Sequence, residues 1–222
     1  MKEIVKGEGE VFDIDLEADI LRANEEIAEK NKELLRKHGV KAIDVMGSIG
    51  SGKTSLILQL VKKLKEKHKI AVFNGDLTTT IDSDLIGKQD VEVVQINTGK
   101  ECHLDANLVK KALQRIDLNN LELLFIENVG NLICPVDFPL GSEKRVVVIS
   151  VTEGPYIAVK HPSTFMGTDV VAINKMDLAM QMEVNVEKLE MDVKSINPNI
   201  RVAKMNCRTG DGINELIRYI DL

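Results

Sequence analysis

The chain has 222 residues, and its 29 Lys plus Arg against 35 Asp plus Glu give a formal charge of -6 with no basic block, which argues against a nucleic-acid partner. No uninterrupted apolar run approaches the ~20 residues that cross a bilayer, and no basic-then-apolar signal pattern opens the chain, so the expectation is a cytoplasmic protein with no membrane partner. A 44% hydrophobic content with only 3% aromatic residues and no Trp predicts an aliphatic core suited to buried parallel strands, and three cysteines, an odd number, argue against a disulfide framework.

Residues 1–12 mix charges with short apolar pieces and read as a loose arm. Over 16–37 the apolar residues Ile20, Leu21, Ile27, Leu34 and Leu35 recur at helical spacing and stop at His38-Gly39, which predicts an amphipathic helix packed on the domain or on a partner. The chain divides into this arm and helix, 1–39, and a nucleotide-binding domain, 40–222. Strand and helix then alternate: strand 42–46, helix 54–67, strand 70–74, loop 75–88, strand 91–96, helix 104–116. Strand 121–127, loop 130–144, strands 145–151 and 169–174, helix 184–195, strand 200–205 and helix 211–220 complete the pattern. Such alternation implies an α/β fold in three layers, a mostly parallel central sheet with helices on both faces, and ligands at the carboxyl ends of the strands.

Between the first predicted strand and helix stands Gly47-Ser48-Ile49-Gly50-Ser51-Gly52-Lys53-Thr54, with Ser55 following. This fits the phosphate-cradling G-x-x-x-x-G-K-S/T pattern in its proper strand-to-helix setting and makes the expected fold that of a P-loop NTPase. The glycines let successive N–H groups converge on phosphate, Lys53 reaches the β- and γ-phosphates, and the Thr54 hydroxyl ligates Mg²⁺. Asn174-Lys175-Met176-Asp177 matches the N-K-x-D element, whose carboxylate accepts from two guanine N–H groups that adenine lacks. GTP and GDP are therefore the expected nucleotides. Cys207 and Arg208 follow the last strand where such a site closes over the base, Cys207 reading as a packed thiol rather than a metal ligand. Asp76 and Glu127 end neighbouring strands beside the phosphate loop, where carboxylates serve Mg²⁺ and the attacking water. Lys53, Asp76 and Glu127 are thus the catalytic candidates, and one of Thr78, Thr79 and Thr80 is expected to sense the γ-phosphate.

Cys102-His103 opens the helix predicted over 104–116, and Cys134-Pro135 lies in the loop after Glu127. Thiolate and imidazole suit zinc or nickel, but three ligands do not close a four-coordinate structural site. An open position or ligands pooled by two subunits would complete it. On spacing alone, an incidental Cys-His pair outweighs metal binding.

Taken together these motifs resemble the HypB family of GTPases that insert nickel during hydrogenase maturation. The resemblance rests on residues 47–54, on Gly75-Asp76-Leu77, on Thr98-Gly99-Lys100-Glu101-Cys102-His103-Leu104-Asp105, on Glu127-Asn128-Val129-Gly130-Asn131-Leu132-Ile133-Cys134-Pro135 and on residues 174–177. It implies a Mg²⁺-dependent GTP hydrolase that binds Ni²⁺ or Zn²⁺ at Cys102, His103 and Cys134. It also implies a homodimer favoured by GTP, acting with a hydrogenase large-subunit precursor and other maturation accessory proteins. Two features depart from the family pattern. The first cysteine is Cys102 and only 4 His occur, so neither an amino-terminal cysteine cluster nor a histidine-rich nickel store is present in this sequence. Ser48 stands where related dimeric P-loop NTPases carry an extra lysine, so no hydrolytic lysine carries over from that position. The rival readings are a nickel or zinc metallochaperone that binds nucleotide without a hydrolytic cycle, and a urease-type nickel accessory GTPase.

Overall fold

The computed structural model describes residues 11–76, 80–99 and 101–222, with side chains from residue 18 onward. The expected arm over 1–12 falls mostly outside the described residues, as do Thr78 and Thr79. Seven strands form one sheet: β1 (Lys41–Met46), β2 (Ile70–Asp76), β3 (Glu92–Asn97), β4 (Leu123–Glu127), β5 (Lys144–Ser150), β6 (Val170–Asn174) and β7 (Arg201–Lys204). Their order is β3-β2-β4-β1-β5-β6-β7 and every pairing is parallel. All seven carboxyl ends therefore lie along one edge of the sheet.

Among the described residues eight α-helices surround it: α1 (Val11–Lys37), α2 (Lys53–Leu64), α3 (Ile81–Gly87), α4 (Ala106–Leu113), α5 (Ile157–Lys160), α6 (Pro162–Met166), α7 (Val186–Ile196) and α8 (Ile213–Tyr219). The pleat explains their division between faces. Ile43 and Val45 of β1 pack with Leu56, Ile57 and Leu60 of α2, Ile86 of α3 and Leu216 of α8. Alternate residues point to the other face, where Ala42 meets Leu35 of α1 and Val109 of α4, while Met46 meets Phe165 of α6 and Leu189 of α7. Each such fully buried aliphatic or phenyl side chain contributes roughly 1.5–3 kcal/mol. Among the described residues no helix is long and apolar enough to cross a membrane.

The amphipathic segment is a helix of this domain's surface, beginning by Val11 rather than at 16. Buried asparagines fix it: Asn24 Oδ1 accepts from Ala106 N at 2.8 Å, and Asn31 Nδ2 donates to Ala106 O at 2.8 Å and Leu140 O at 3.1 Å. Three corrections to the predicted elements have local causes. The loop 75–88 contains α3, whose first turn carries Asp82 and Asp84 to offset the helix dipole. The stretch after β5 contains the short helices α5 and α6, the latter opened by Pro162. Finally, α4 starts at Ala106 rather than 104, because the Asp105 side chain caps it by accepting from Leu108 N at 2.6 Å. Cys102 and His103 consequently lie in the preceding loop and do not open the helix.

Candidate functional site

The chain leaves β1 at Met46 and turns through residues 47–52 into α2. Gly52 caps that helix at φ 106 and ψ 26, in the left-handed region that strains any L side chain. A Cβ there would stand 2.2 Å from Asn174 Nδ2, so this glycine also makes room for Asn174. Asn174 ends β6, is buried, donates from Nδ2 to Ser51 O at 2.8 Å and accepts at Oδ1 from Cys207 N at 2.9 Å. A single side chain thus joins the phosphate-loop turn to the two segments following β6 and β7.

Along this turn Gly47 bridges to Asn131 in an isolated antiparallel pair, Gly50 holds φ 78, and Ile49 is 85% exposed. Ser48 Oγ donates to Glu153 Oε1, and the other Glu153 oxygen accepts from Ser150 N. Lys53 is buried and folds back, its Nζ donating to Gly47 O and Ser48 O at 3.1 Å each. Burial lowers its pKa, opposed by the negative charges of Glu127, Asp82, Glu153 and Asp76. Thr54 Oγ1 donates to Glu127 Oε1 at 2.7 Å. Glu127 is only 3% exposed, and its Oε2 has no hydrogen-bond partner among the described residues. Burial pushes its carboxyl up to about 7, against the pull of the Thr54 hydroxyl and the Lys53 ammonium.

Toward the other end, Lys175 adopts φ 61 and its Nζ donates to Thr152 Oγ1 at 3.3 Å. Asp177 lies in the 3₁₀ turn Met176–Leu178, and Arg208 N donates to Asn206 Oδ1 at 3.0 Å. Cys207 is buried, its thiol pushed up to about 12 by desolvation, while its carbonyl accepts from Gln59 Nε2 at 2.9 Å. This is a packed thiol, as its sequence setting suggested. Gly50, Gly52, Lys53, Thr54, Ser55, Asp76, Glu127, Asn174, Lys175, Asp177, Cys207 and Arg208 all wall one cleft of about 770 Å³. Gly47, Ser48 and Ser51 are not among the residues that line it. Thr80 caps α3, its hydroxyl donating to Asp84 Oδ2 at 3.2 Å.

Asp82 and Leu85 of α3 and Asn128 also line the cleft, and sequence reasoning had passed over them. A threonine followed by acidic residues is a helix-start signal that could have placed α3. Nothing in the local pattern marks Asn128, whose role is set by distant partners.

Beside the cleft lies a second group of donors. Cys102 is exposed, Cys134 half-buried, and Cys102 Sγ sits 3.9 Å from His103 Nδ1. The neighbouring Cys134 thiol, then burial, raise the Cys102 pKa. The His103 ring rests on Phe138 with centroids 3.9 Å apart, and burial lowers its pKa against the pull of Glu101 and Asp105. Among the described residues no three His, Cys, Asp or Glu side chains are gathered as a metal-holding group. The fold therefore brings two thiols and an imidazole to one neighbourhood without closing a cage.

Residues 41–204 match the family described as CobW/HypB/UreG, nucleotide-binding domain. The chain is 49% identical over 208 residues to the probable hydrogenase maturation factor HypB of Methanocaldococcus jannaschii, covering 94% of each. It is similar to the crystal structure of hydrogenase maturation factor HypB from Archaeoglobus fulgidus, with TM-score 0.84 and 42% identity over 90% of this chain and 98% of that one. It is also similar to the crystal structure of HypB from Helicobacter pylori in complex with nickel, with TM-score 0.84 and 32% identity over 89% and 93% of the two chains.

Proposed function

Because the chain belongs to the CobW/HypB/UreG family of nucleotide-binding proteins, in its HypB branch, we propose that it is a GTP hydrolase with Mg²⁺ as cofactor. In this reading the nucleotide state governs a homodimer that takes up nickel and releases it toward a hydrogenase large-subunit precursor, alongside other maturation accessory proteins in the cytoplasm. The observation that carries the proposal is the Asn174 clasp, which fixes the phosphate loop and the base-recognition segment at opposite ends of one cleft.

Asp177 accepts the two guanine N–H groups and so selects GTP over ATP. Lys53 leaves the carbonyls of Gly47 and Ser48 for the β- and γ-phosphates. The buried Glu127 Oε2 without a hydrogen-bond partner, next to the Thr54 hydroxyl, fits a divalent cation, with Asp76 at the adjoining strand end. When bound there, Mg²⁺ would offset the phosphate charge. Glu127 and Asp76 orient the attacking water, and Asn128 and the apolar wall of Leu58 and Leu85 limit bulk solvent around it.

Cys102, His103 and Cys134 are the nickel-receiving groups, and zinc suits the same soft set. Since one chain does not close a cage, a second copy supplies the remaining ligands, so that metal and nucleotide share the dimer. Nickel in the crystal structure of the Helicobacter pylori relative supports nickel as the metal taken up.

The test is a titration of metal-free protein with Ni²⁺ in GDP and in a slowly hydrolysed GTP analogue, followed by absorbance and light scattering. Sulfur-to-nickel charge-transfer bands that rise at a fixed metal-to-dimer ratio and change with nucleotide are expected. Bands that survive Cys102→Ser with Cys134→Ser would remove the metal site. Single-turnover GTP hydrolysis at the background rate would leave a nucleotide-binding metallochaperone instead.

A further inference from the structure

The metal-ligand loops and the nucleotide carboxylates meet at a buried polar chain, of which only Asn128 borders the cleft. Asp44 and Asn128 are both fully buried. Asp44 occupies the face of β1 between Ala42, which packs toward α4, and Met46, which packs toward α7. Its Oδ1 accepts from Asn128 Nδ2 at 3.4 Å and its Oδ2 from Arg145 Nε at 3.3 Å. The chain then reaches outward in two directions. Asn128 Oδ1 accepts from Leu104 N at 3.0 Å, immediately after His103, and Arg145 Nη1 donates to Val136 O at 3.1 Å, two residues beyond Cys134.

The Asn128–Leu104 contact is also next to both carboxylates of the cleft. Asn128 follows Glu127 in sequence. The Leu104 side chain lies over Gly75, which precedes Asp76, and a Cβ on Gly75 would stand 2.8 Å from Leu104 Cδ1 and 2.9 Å from Glu127 O. Leu104 is therefore seated on the two residues that adjoin the two carboxylates, Gly75 and Asn128. A largely buried ion pair, here with the Asp44 side chain fully buried and that of Arg145 13% exposed, is a poor device for stability, because well-packed hydrophobic residues of similar volume commonly serve as well. What it does provide is direction: bonds that fix Leu104 and Val136 at set positions.

Resting on the reading that Cys102, His103 and Cys134 bind nickel in step with nucleotide, we propose that Asp44, Arg145 and Asn128 are positioning residues coupling the two sites. They hold the Cys102-His103 loop and the Cys134 loop in one register, set by the strand ends that carry Asp76 and Glu127. Coupled sites of this kind commonly differ about 5–150-fold in ligand affinity between states.

The experiment measures Ni²⁺ affinity of the full chain by charge-transfer absorbance, in GDP and in a slowly hydrolysed GTP analogue. It compares wild type, Arg145→Lys, Asn128→Ala and the Cys102→Ser, Cys134→Ser double variant. Arg145→Lys keeps a cation beside Asp44 but loses the second guanidinium bond, to Val136 O. It is expected to bind nucleotide as wild type does, while the ratio of nickel affinities between the two nucleotides falls to within about twofold of unity. If Arg145→Lys does not fold, Asn128→Ala, which leaves the ion pair intact, is read by the same ratio. A wild-type ratio in the folded variant, whatever its melting temperature, overturns the proposal, because a structural role lowers stability without touching the ratio. A double cysteine variant that titrates like wild type instead sinks the metal-site reading on which the proposal rests.

Discussion

Replacing Glu127 by Gln should stabilise the ligand-free protein at alkaline pH while abolishing its chemistry. The carboxyl is 3% exposed and its folded pKa is raised from 4.5 to about 7, chiefly by desolvation. A raised carboxyl pKa means that the folded state holds a proton which the unfolded chain has released. Stability from this group is therefore fully present below about pH 4.5, declines as pH rises, and is lost once pH exceeds about 7. Converted at 1.36 kcal/mol per unit, that interval corresponds to about 3 kcal/mol. Glutamine resembles the protonated acid at every pH and cannot incur this loss. The difference in unfolding free energy between Glu127→Gln and wild type should thus be near zero at pH 4.5 and about 3 kcal/mol in favour of the variant at pH 8. For a chain of this size that is about 6–12 °C in melting temperature. Urea or thermal unfolding in nucleotide-free buffer containing a chelator provides the assay. A difference that does not change between pH 5 and pH 8 would refute the desolvation argument. Single-turnover hydrolysis by the variant should fall to background, since an amide is a poor ligand for the cation.

On the proposed base contact, Asp177→Ala removes the acceptor for two guanine N–H groups, so GTP and GDP should bind on the order of 100-fold more weakly by calorimetry while inosine nucleotides, lacking the exocyclic amine, lose less. Equal losses for both would place the base elsewhere. Gly52→Ala forces a methyl into 2.2 Å contact with Asn174 Nδ2 at φ 106, and a destabilisation of about 1–3 kcal/mol with loss of GTP binding is expected by thermal unfolding and titration. Asn31→Ala leaves the carbonyls of Ala106 and Leu140 without their buried donor, and its unfolding free energy should fall by about 1–3 kcal/mol in a denaturant titration. No change there would mean that α1 contributes nothing to the domain.

What could be read from the sequence was whatever one strand and its following turn specify together. The phosphate loop, Asp76, Glu127 and Asn174 each end an apolar run, and a parallel sheet necessarily lines such ends along one edge. Long, strongly patterned helices such as α1 and α2 were legible for the same reason. The short helices α3, α5 and α6 were not, because four to seven residues hold too little periodicity to separate helix from turn. Asn128 is visible in the sequence only as part of the family motif, with no role of its own, because its partners Asp44 and Leu104 are 84 and 24 residues away. The helix that Cys102 and His103 are expected to open starts two residues later, at Ala106 rather than 104, because Asp105, not Cys102, supplies the cap of α4.

The ligand-free cleft holds two electrostatic conflicts that share one solution. Lys53 is buried with its ammonium bonded only to neutral carbonyls, and desolvation lowers its pKa. Glu127 is buried against the Thr54 hydroxyl with one oxygen unpaired among the described residues, and desolvation raises its pKa. Each would gain by moving toward the other's charge, yet the geometry holds Lys53 on the phosphate-loop carbonyls and Glu127 on Thr54. A phosphate chain alone would answer the lysine and repel the glutamate, and a divalent cation alone would do the reverse. Nucleotide and cation bound together relieve both. On the proposed reading this arrangement would favour the metal-nucleotide complex over either component, and loss of the γ-phosphate would be felt first at Glu127, whose strand end adjoins Asn128 and through it the loop bearing Cys102 and His103.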